Sequence, residues 1–306
     1  MASRTDNTRF ETTPDGACLR IGFWPTKSAD AAGQVALLPG RTEFLEKYEE
    51  TIGELGDRGF DVWSMDWRGQ GLSERLLANR HKGHIRRFET YLDDLQWFMA
   101  NFVASRPARR TIVLAHSMGG HIALRAILEG RIAPERAVLS APMIDLPIAG
   151  IRRRLTELLT AGAMSLGAGA RYAFGMHDYD PAHRGFEGNP LTGDEARFNR
   201  LHDLIASNPD LALGGVTWAW LHAAFKSIAT LDALSNAPAA TCPTLICTGL
   251  QDRVVSRDAQ RIMCERLPDC LHAPFADARH EILIETDAVR ARFWGLFDDF
   301  VGDSAA

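Results

Sequence analysis

Cysteine is scarce. Five stand in a chain of 306 residues, at positions 18, 242, 247, 264 and 270. The count is odd and the spacing irregular, so neither a disulfide scaffold nor a set of paired zinc ligands is spelled out. The expectation is buried thiols in a reducing compartment. An excess of one charge is also missing. Against 39 acidic side chains stand 34 basic ones, a net charge of −5, which leaves no overall electrostatic case for a nucleic-acid partner. Long apolar runs are absent too. The longest uncharged stretch, Ala233–Gln251, contains Asn236, Pro238 and Pro243. Leu158–Ala170 and Leu211–Phe225 fall short of the ~20 residues a crossing helix needs. The first fifteen residues carry Arg4, Asp6, Arg9, Glu11 and Asp15 and hold no apolar segment of a signal peptide. A cytoplasmic protein is expected, with peripheral contact at a membrane surface left open. Repeats and low-complexity tracts are missing as well. What is there, 46% hydrophobic and 24% charged residues, is a globular composition and excludes a wholly disordered chain.

Short apolar runs bounded by turn residues read as strands: Val35–Leu38, Phe60–Met65, Thr111–Ala115, Ala137–Leu139 and Thr244–Cys247, with Cys270–Phe275 as the last. Their near-continuous apolarity is that of strands covered on both faces. Helical spacing runs between them, over Phe44–Arg58, Tyr91–Val103, Met118–Leu128, Arg257–Leu267 and Thr286–Val301. Alternation of strand and helix predicts a mostly parallel, doubly wound α/β sheet. From Pro142 to about Pro243 the alternation stops. A connection of roughly 100 residues is far longer than the usual ~2–6 and must carry structure of its own. The expectation is one discontinuous core, residues 1–141 and 242–306, with a helical cap at 142–241.

The stretch Leu114-Ala115-His116-Ser117-Met118-Gly119-Gly120 has the order strand, serine, small residues, helix. That is the context of a nucleophile elbow, in which a strained turn lifts the serine hydroxyl above the sheet. Small residues are needed two before and two after the serine. Ala115 and Gly119 provide them. A serine hydroxyl needs a base, and in this topology an acid and then a histidine follow it. His280, just after the last strand, is preferred to His272, which falls inside that strand. Asp252, after the strand Thr244–Cys247, is the acid. Asp277 is the fallback, and Asp258 reads as a charge at a helix start. The oxyanion of acyl transfer needs two backbone donors. Met118, next to the nucleophile, supplies one, and Arg41, in the loop Leu38–Glu43, supplies the other.

These residues resemble the α/β-hydrolase superfamily, and within it the bacterial lysophospholipases and monoacylglycerol lipases. The elbow is similar to the family's Gly-His-Ser-Met-Gly-Gly, with Ala115 for the first glycine. Asp66-Trp67-Arg68-Gly69-Gln70-Gly71-Leu72-Ser73 resembles its Asp-x-Arg-Gly-x-Gly-x-Ser turn. Pro39-Gly40-Arg41-Thr42-Glu43-Phe44 resembles the lysophospholipase form of the oxyanion loop, and Ala278-Arg279-His280-Glu281-Ile282 the stretch around the family's histidine. Thr217–Leu221 is similar to the cap of the same subgroup. The resemblance implies a Ser-Asp-His hydrolase with neither metal nor organic cofactor. Esterases and aminopeptidases occur among its relatives, so it leaves the substrate open.

In the expected cap, Trp218, Leu221 and Phe225 share a helical stripe with Ile228 and are the residues proposed for an acyl-chain pocket. Leu158, Leu159, Met164 and Leu166 line that pocket or meet a lipid surface. Between Asp145 and Phe225 seven arginines face nine acids, so this stretch is not broadly cationic. A carboxylic ester hydrolase acting on a small monoacyl lipid is the leading reading. An aminopeptidase is the rival, with Asp178, Asp180, Glu187, Asp194 and Glu195 as acids to hold a substrate amine. A non-catalytic binding protein on the same fold is the third.

Overall fold

A computed structural model describes residues 7–28, 31–106, 110–148, 150–183 and 185–302. Arg4 and Asp6, and Arg184 of the 142–241 stretch, lie outside them. Eight strands form one sheet: β1 (Thr8–Thr12), β2 (Cys18–Trp24), β3 (Gly33–Leu38), β4 (Phe60–Met65), β5 (Thr111–His116), β6 (Arg136–Ser140), β7 (Thr244–Gly249) and β8 (Cys270–Phe275). Their order is β1-β2-β4-β3-β5-β6-β7-β8. From β4 to β8 every neighbour is parallel, and β1 and β2 add an antiparallel edge.

That hairpin is absent from the strand reading above. β1 is short and mostly exposed, with Phe10 turned to solvent. An edge strand of this kind lacks the continuous apolarity of a two-sided strand.

The helices are α1 (Glu49–Asp57), α2 (Glu89–Phe98), α3 (Ser117–Leu128), α4 (Gly150–Ser165), α5 (Glu195–Ser207), α6 (Trp218–Leu234), α7 (Arg257–Arg266) and α8 (Asp287–Gly302). The two-residue strand period sorts the core onto two faces. Val35, Leu37, Ile112, Leu114 and Val138 pack with Ile52 and Leu55 of α1 and with Phe293 and Phe297 of α8. Ala36, Leu38, Val113, Ala115 and Leu139 pack on the other face with Leu92 and Leu95 of α2, Ile122 of α3 and Met263 of α7. Burying both faces is what makes these strands read as apolar throughout. The chain is thus an α/β protein with a mostly parallel, doubly wound sheet.

Helices α4, α5 and α6 all fall between β6 and β7 in the chain. Among the described residues, none of that stretch joins the sheet, and its pairings are isolated bridges, Gly83 with Val216 and Tyr172 with Thr217. Ser227 of α6 lies 2.6 Å from His121 Nε2 and accepts from Arg125 Nη1 at 2.8 Å, which ties α6 to α3.

The cysteine expectation needs a correction. Cys264, near the end of α7, and Cys270, at the start of β8, are joined as a disulfide with Cα atoms 5.3 Å apart. The turn from α7 into β8 brings them within bridging reach, although their spacing belongs to no recurring cysteine pattern. Cys18, Cys242 and Cys247 are free thiols.

Candidate active site

Strand β5 ends at His116 and α3 begins at Ser117 with no residue between them. Ser117 holds φ at 49°, a left-handed conformation that a non-glycine residue adopts only where its surroundings enforce it. The glycines after it let neighbouring segments close in on this turn. A Cβ on Gly119 would stand 2.4 Å from the Pro39 carbonyl oxygen and 2.5 Å from that of Leu38. A Cβ on Gly120 would stand 2.8 Å from Pro142 Cβ. Small residues are therefore needed here so that the start of α3 can lie against the loop after β3.

Two loops at strand ends converge on Ser117. Asp252 follows β7, and its Oδ1 accepts the N–H groups of Val254 at 2.7 Å and Val255 at 3.2 Å. Its Oδ2 lies 2.7 Å from His280 Nδ1. His280 Nε2 lies 3.0 Å from Ser117 Oγ. All three side chains are buried. With the ring proton on Nδ1, donated to Asp252, Nε2 is left as the acceptor for the serine hydroxyl. This chain can withdraw a proton from Ser117 and stabilise the imidazolium that results. The other acids and bases weighed for these roles lie elsewhere. His272 sits in β8 beside Thr248 Oγ1, at 2.9 Å. Asp277 is exposed, and Asp258 lies in the first turn of α7.

The loop after β3 is held from three sides. Trp67 Nε1 donates to the Pro39 carbonyl and Gln70 Nε2 to the Gly40 carbonyl, each at 2.7 Å. The Gly40 N–H donates to the Glu43 carboxylate. Asp66 accepts the Leu45 and Leu72 N–H groups and the Arg20 guanidinium. Gly71 has φ of 54°, and a Cβ there would stand 2.2 Å from the Asp66 carboxylate. The Asp66–Ser73 turn thus braces the loop that carries Arg41. Met118 lies in the first turn of α3, where N–H groups have no intrahelical partner, and both Arg41 and Met118 border the cavity beside Ser117.

Behind this loop lies a buried polar cluster that the reading of the sequence missed. Lys47 Nζ is 2.7 Å from Glu43 and 2.7 Å from Glu281, the residue after His280. Tyr48 OH donates to Glu43 at 2.5 Å. Burial pushes the Glu43 carboxyl up, but Lys47 and His116 outweigh it and hold it at about 2. Burial lowers the Lys47 ammonium, and the two carboxylates reverse that and raise it. The signal was present as the pair Glu43 and Lys47, four residues apart, but their burial was not. Glu43, His116 and Glu281 also offer three metal-ligand atoms within 4.8 Å of one another. The Lys47 ammonium lies against both carboxylates of that trio. His116 Nδ1 faces the Ser140 carbonyl at 3.0 Å, and its ring centroid lies 4.8 Å from that of His280. Burial lowers the His116 pKa, against the pull of Glu43.

Above Ser117 opens a cavity of about 720 Å³. Its wall includes Leu159, Phe174, Met176, Trp218, Trp220 and Leu221. Phe225, expected with them, is not part of this wall. It is buried one turn further along α6, with the Arg153 guanidinium 4.2 Å over its ring. None of Asp178, Asp180, Glu187, Asp194 and Glu195 lines the cavity. Asp178 binds Tyr172 and Asn79, and Asp194 caps α5 by accepting the Arg197 N–H.

Residues 29–287 match the model of the Hydrolase_4 family, described as serine aminopeptidase, S33. The chain belongs to this family of α/β-hydrolases. Lysophospholipase L2 of Escherichia coli K12 is 33% identical over 264 residues, covering 84% of this chain and 76% of that protein. Probable lysophospholipase L2 of Haemophilus influenzae is 31% identical over 254 residues, covering 83% and 79%. In fold the hydrolase is similar to a soluble variant of the monoglyceride lipase of Saccharomyces cerevisiae, with TM-score 0.74, 20% identity and coverage of 97% of this chain and 95% of that one. It is also similar to the monoacylglycerol lipase of Paleococcus ferrophilus, with TM-score 0.71, 19% identity and coverage of 94% and 99%.

Proposed function

We propose that this α/β-hydrolase, a carboxylic ester hydrolase, cleaves the ester of a monoacyl lipid, either a lysophospholipid or a monoacylglycerol. The observation that carries the reading is the hydrogen-bonded chain Asp252–His280–Ser117 opening into a cavity with a largely apolar wall. Ser117 Oγ attacks the ester carbonyl while His280 Nε2 takes its proton. The Arg41 and Met118 N–H groups receive the oxyanion. Collapse of the tetrahedral species breaks the bond to the glycerol oxygen, which leaves with the proton from His280. Water, deprotonated by the same nitrogen, then releases the fatty acid from Ser117. Every proton moves on this chain's own residues.

Residues 142–241 act as the cap in this reading. Leu159, Trp218 and Leu221 take the acyl chain. On α4, which lends Thr156 and Leu159 to the cavity, apolar side chains also turn outward: Ile151, Leu155, Leu158 and Leu166 of α4 and its end, and Phe174 after it, are all more than half exposed. Exposed Arg152 and Arg154 flank that stripe. An apolar face edged with cations suits the surface of a bilayer or micelle. Among the described residues no helix is long and apolar enough to cross a membrane. The amide reading has no such support, since the acids proposed for a substrate amine stand away from the cavity.

The test is hydrolysis of palmitoyl lysophosphatidylcholine, 1-palmitoylglycerol and aminoacyl anilides by purified wild-type protein and Ser117→Ala. Ester turnover that falls by about four to six powers of ten in the variant is expected. Turnover of the anilides alone would sink the lipid reading.

A further inference from the structure

Arg41 sits in the cavity wall beside Ser117, and its side chain is poorly matched to its surroundings. One hydrogen bond is made, from Nη2 to the Gly214 carbonyl. The guanidinium lies 5.6 Å over the Trp220 ring. Nε is buried without a partner. No carboxylate of the described residues pairs with it, and burial brings its pKa down to about 10, so it remains a cation at neutral pH. A guanidinium offers five donors in a planar fork, and leaving a donor out of water and unpaired, as Nε is here, is costly.

Comparison within the molecule sharpens the point. Arg75 is also half-buried, without a carboxylate and with an unpaired Nε, yet its two terminal nitrogens donate to the carbonyl oxygens of Gly69, Gly71, Asp210 and Ala212. Arg75 has a structural occupation, while most of the Arg41 fork has none. The acidic residues of the same cavity are engaged. Glu43 and Glu281 share Lys47.

We propose that the Arg41 guanidinium is the receptor for the phosphate of a lysophospholipid headgroup. The inference rests on the ester-hydrolase reading above and selects between its two substrates. Covalent reach supports it. The backbone nitrogen and Cζ of an arginine are separated by as many bonds as the ester carbonyl carbon and the phosphorus of a 1-acyl lysophospholipid, roughly 7 Å in either case when extended. One residue thereby serves both ends of the reacting molecule, the oxyanion through its N–H and the phosphodiester through its side chain. A planar fork on a phosphate gives charge-assisted, bidentate bonds, which a neutral monoacylglycerol cannot form.

The experiment compares kcat/KM for palmitoyl lysophosphatidylcholine and 1-palmitoylglycerol in wild type, Arg41→Gln and Arg41→Lys. In Arg41→Gln the ratio of the two falls about tenfold or more, through KM for the phospholipid, and Arg41→Lys recovers part of it. Equal loss on both substrates overturns the assignment. A second measurement needs no variant. Glycerophosphocholine inhibits wild-type hydrolysis of p-nitrophenyl butyrate at a concentration about tenfold lower than glycerol does, and equal inhibition by the two overturns the assignment. Wild type that cleaves 1-palmitoylglycerol but not the lysophospholipid removes the Arg41 role alone. Wild type that cleaves neither removes the lipid reading with it.

Discussion

Glu43 and Glu281 are joined through a single ammonium, with Lys47 Nζ 2.7 Å from a carboxylate oxygen of each. Glu43 accepts the N–H of Gly40, the residue before Arg41. Glu281 is covalently next to His280. The loop proposed to hold the oxyanion and the loop that carries the proposed base therefore share one buried anchor. Neither can shift without stretching a bond to Lys47, so the distance between donor and base is set by a contact that touches no substrate.

Replacing Lys47 with methionine leaves two buried carboxylates facing each other. Chemical unfolding at pH 7 should show a loss of about 3–5 kcal/mol. The pH dependence has a defined sign. Glu43 is held at about 2 against an ordinary value of 4.5. A depressed carboxyl contributes stability that is complete above its unfolded value and is lost as pH falls toward the folded one. The variant lacks that contribution and gains by protonating Glu43. Its deficit is thus largest near neutrality and shrinks below about pH 4.5. A deficit that stays constant from pH 7 to pH 3 contradicts the coupling.

Asp252→Asn keeps the size of the side chain but lets an amide N–H face His280 Nδ1. The ring then favours the tautomer with its proton on Nε2, pointed at Ser117 Oγ. A fall of about 10⁴ in kcat is expected, with KM little changed. Steady-state kinetics on a soluble ester, beside a thermal melt to establish folding, checks it.

Gly119→Ala tests the approach of α3 to the loop after β3. The new methyl meets the Pro39 and Leu38 carbonyl oxygens at 2.4 and 2.5 Å, well inside contact distance, and pushes on the segment leading to Arg41. The expected result is a kcat lowered about 10²-fold with a smaller change in KM, as for loss of an oxyanion donor. An unaltered kcat means that the loop yields without moving the Arg41 N–H.

Leu158→Asp and Leu166→Asp address the outward face of α4 and its end. Both leucines are solvent-exposed, at 71% and 85%, so thermal stability should change by less than about 0.5 kcal/mol. Turnover of lysophospholipid presented in vesicles should fall about tenfold, because each change removes an apolar side chain from the lipid contact. Hydrolysis of p-nitrophenyl butyrate in free solution should stay at the wild-type rate. Equal effects on both substrates argue against docking.

Strands were legible where the sheet covers both of their faces. β3 through β7 announce themselves by near-continuous apolar runs ending in turn residues, and the half-exposed edge strand β8 by a weaker one. The residues Ser117, Asp252 and His280, which the structure brings together, were legible for the same reason, since each follows such a run. β1 was not, because an exposed edge strand resembles an ordinary polar terminus, and β2 was not, because Arg20 and Gly22 break its run although its centre is buried. Burial also hid the Lys47 cluster. Glu43, Lys47 and Glu281 carry charges of the type a solvated face shows, and only the packing of the loop after β3 against the His280 loop takes them out of water. Phe225 illustrates the converse. Trp218, Leu221 and Phe225 share one stripe on α6, but the helix passes from the cavity to Arg153 along its length. Periodicity gives a face and not the point at which its neighbour changes.

Strands β6 and β7 are hydrogen-bonded side by side, Ser140 opposite Cys247. The pairing is parallel and Thr244 lies opposite Ala137, so the chain leaves the sheet at one end of the strands and re-enters at the other, with α4, α5 and α6 making the crossover. Lengthening or shortening that stretch leaves the two strand ends where they are. The entropic penalty is slight, about 0.6 kcal/mol for each doubling of a flexible loop. The junction is in effect a socket. A helical module from another protein, grafted between Ala141 and Thr244 with its ends about one strand length apart, would meet a sheet that does not need to rearrange to receive it.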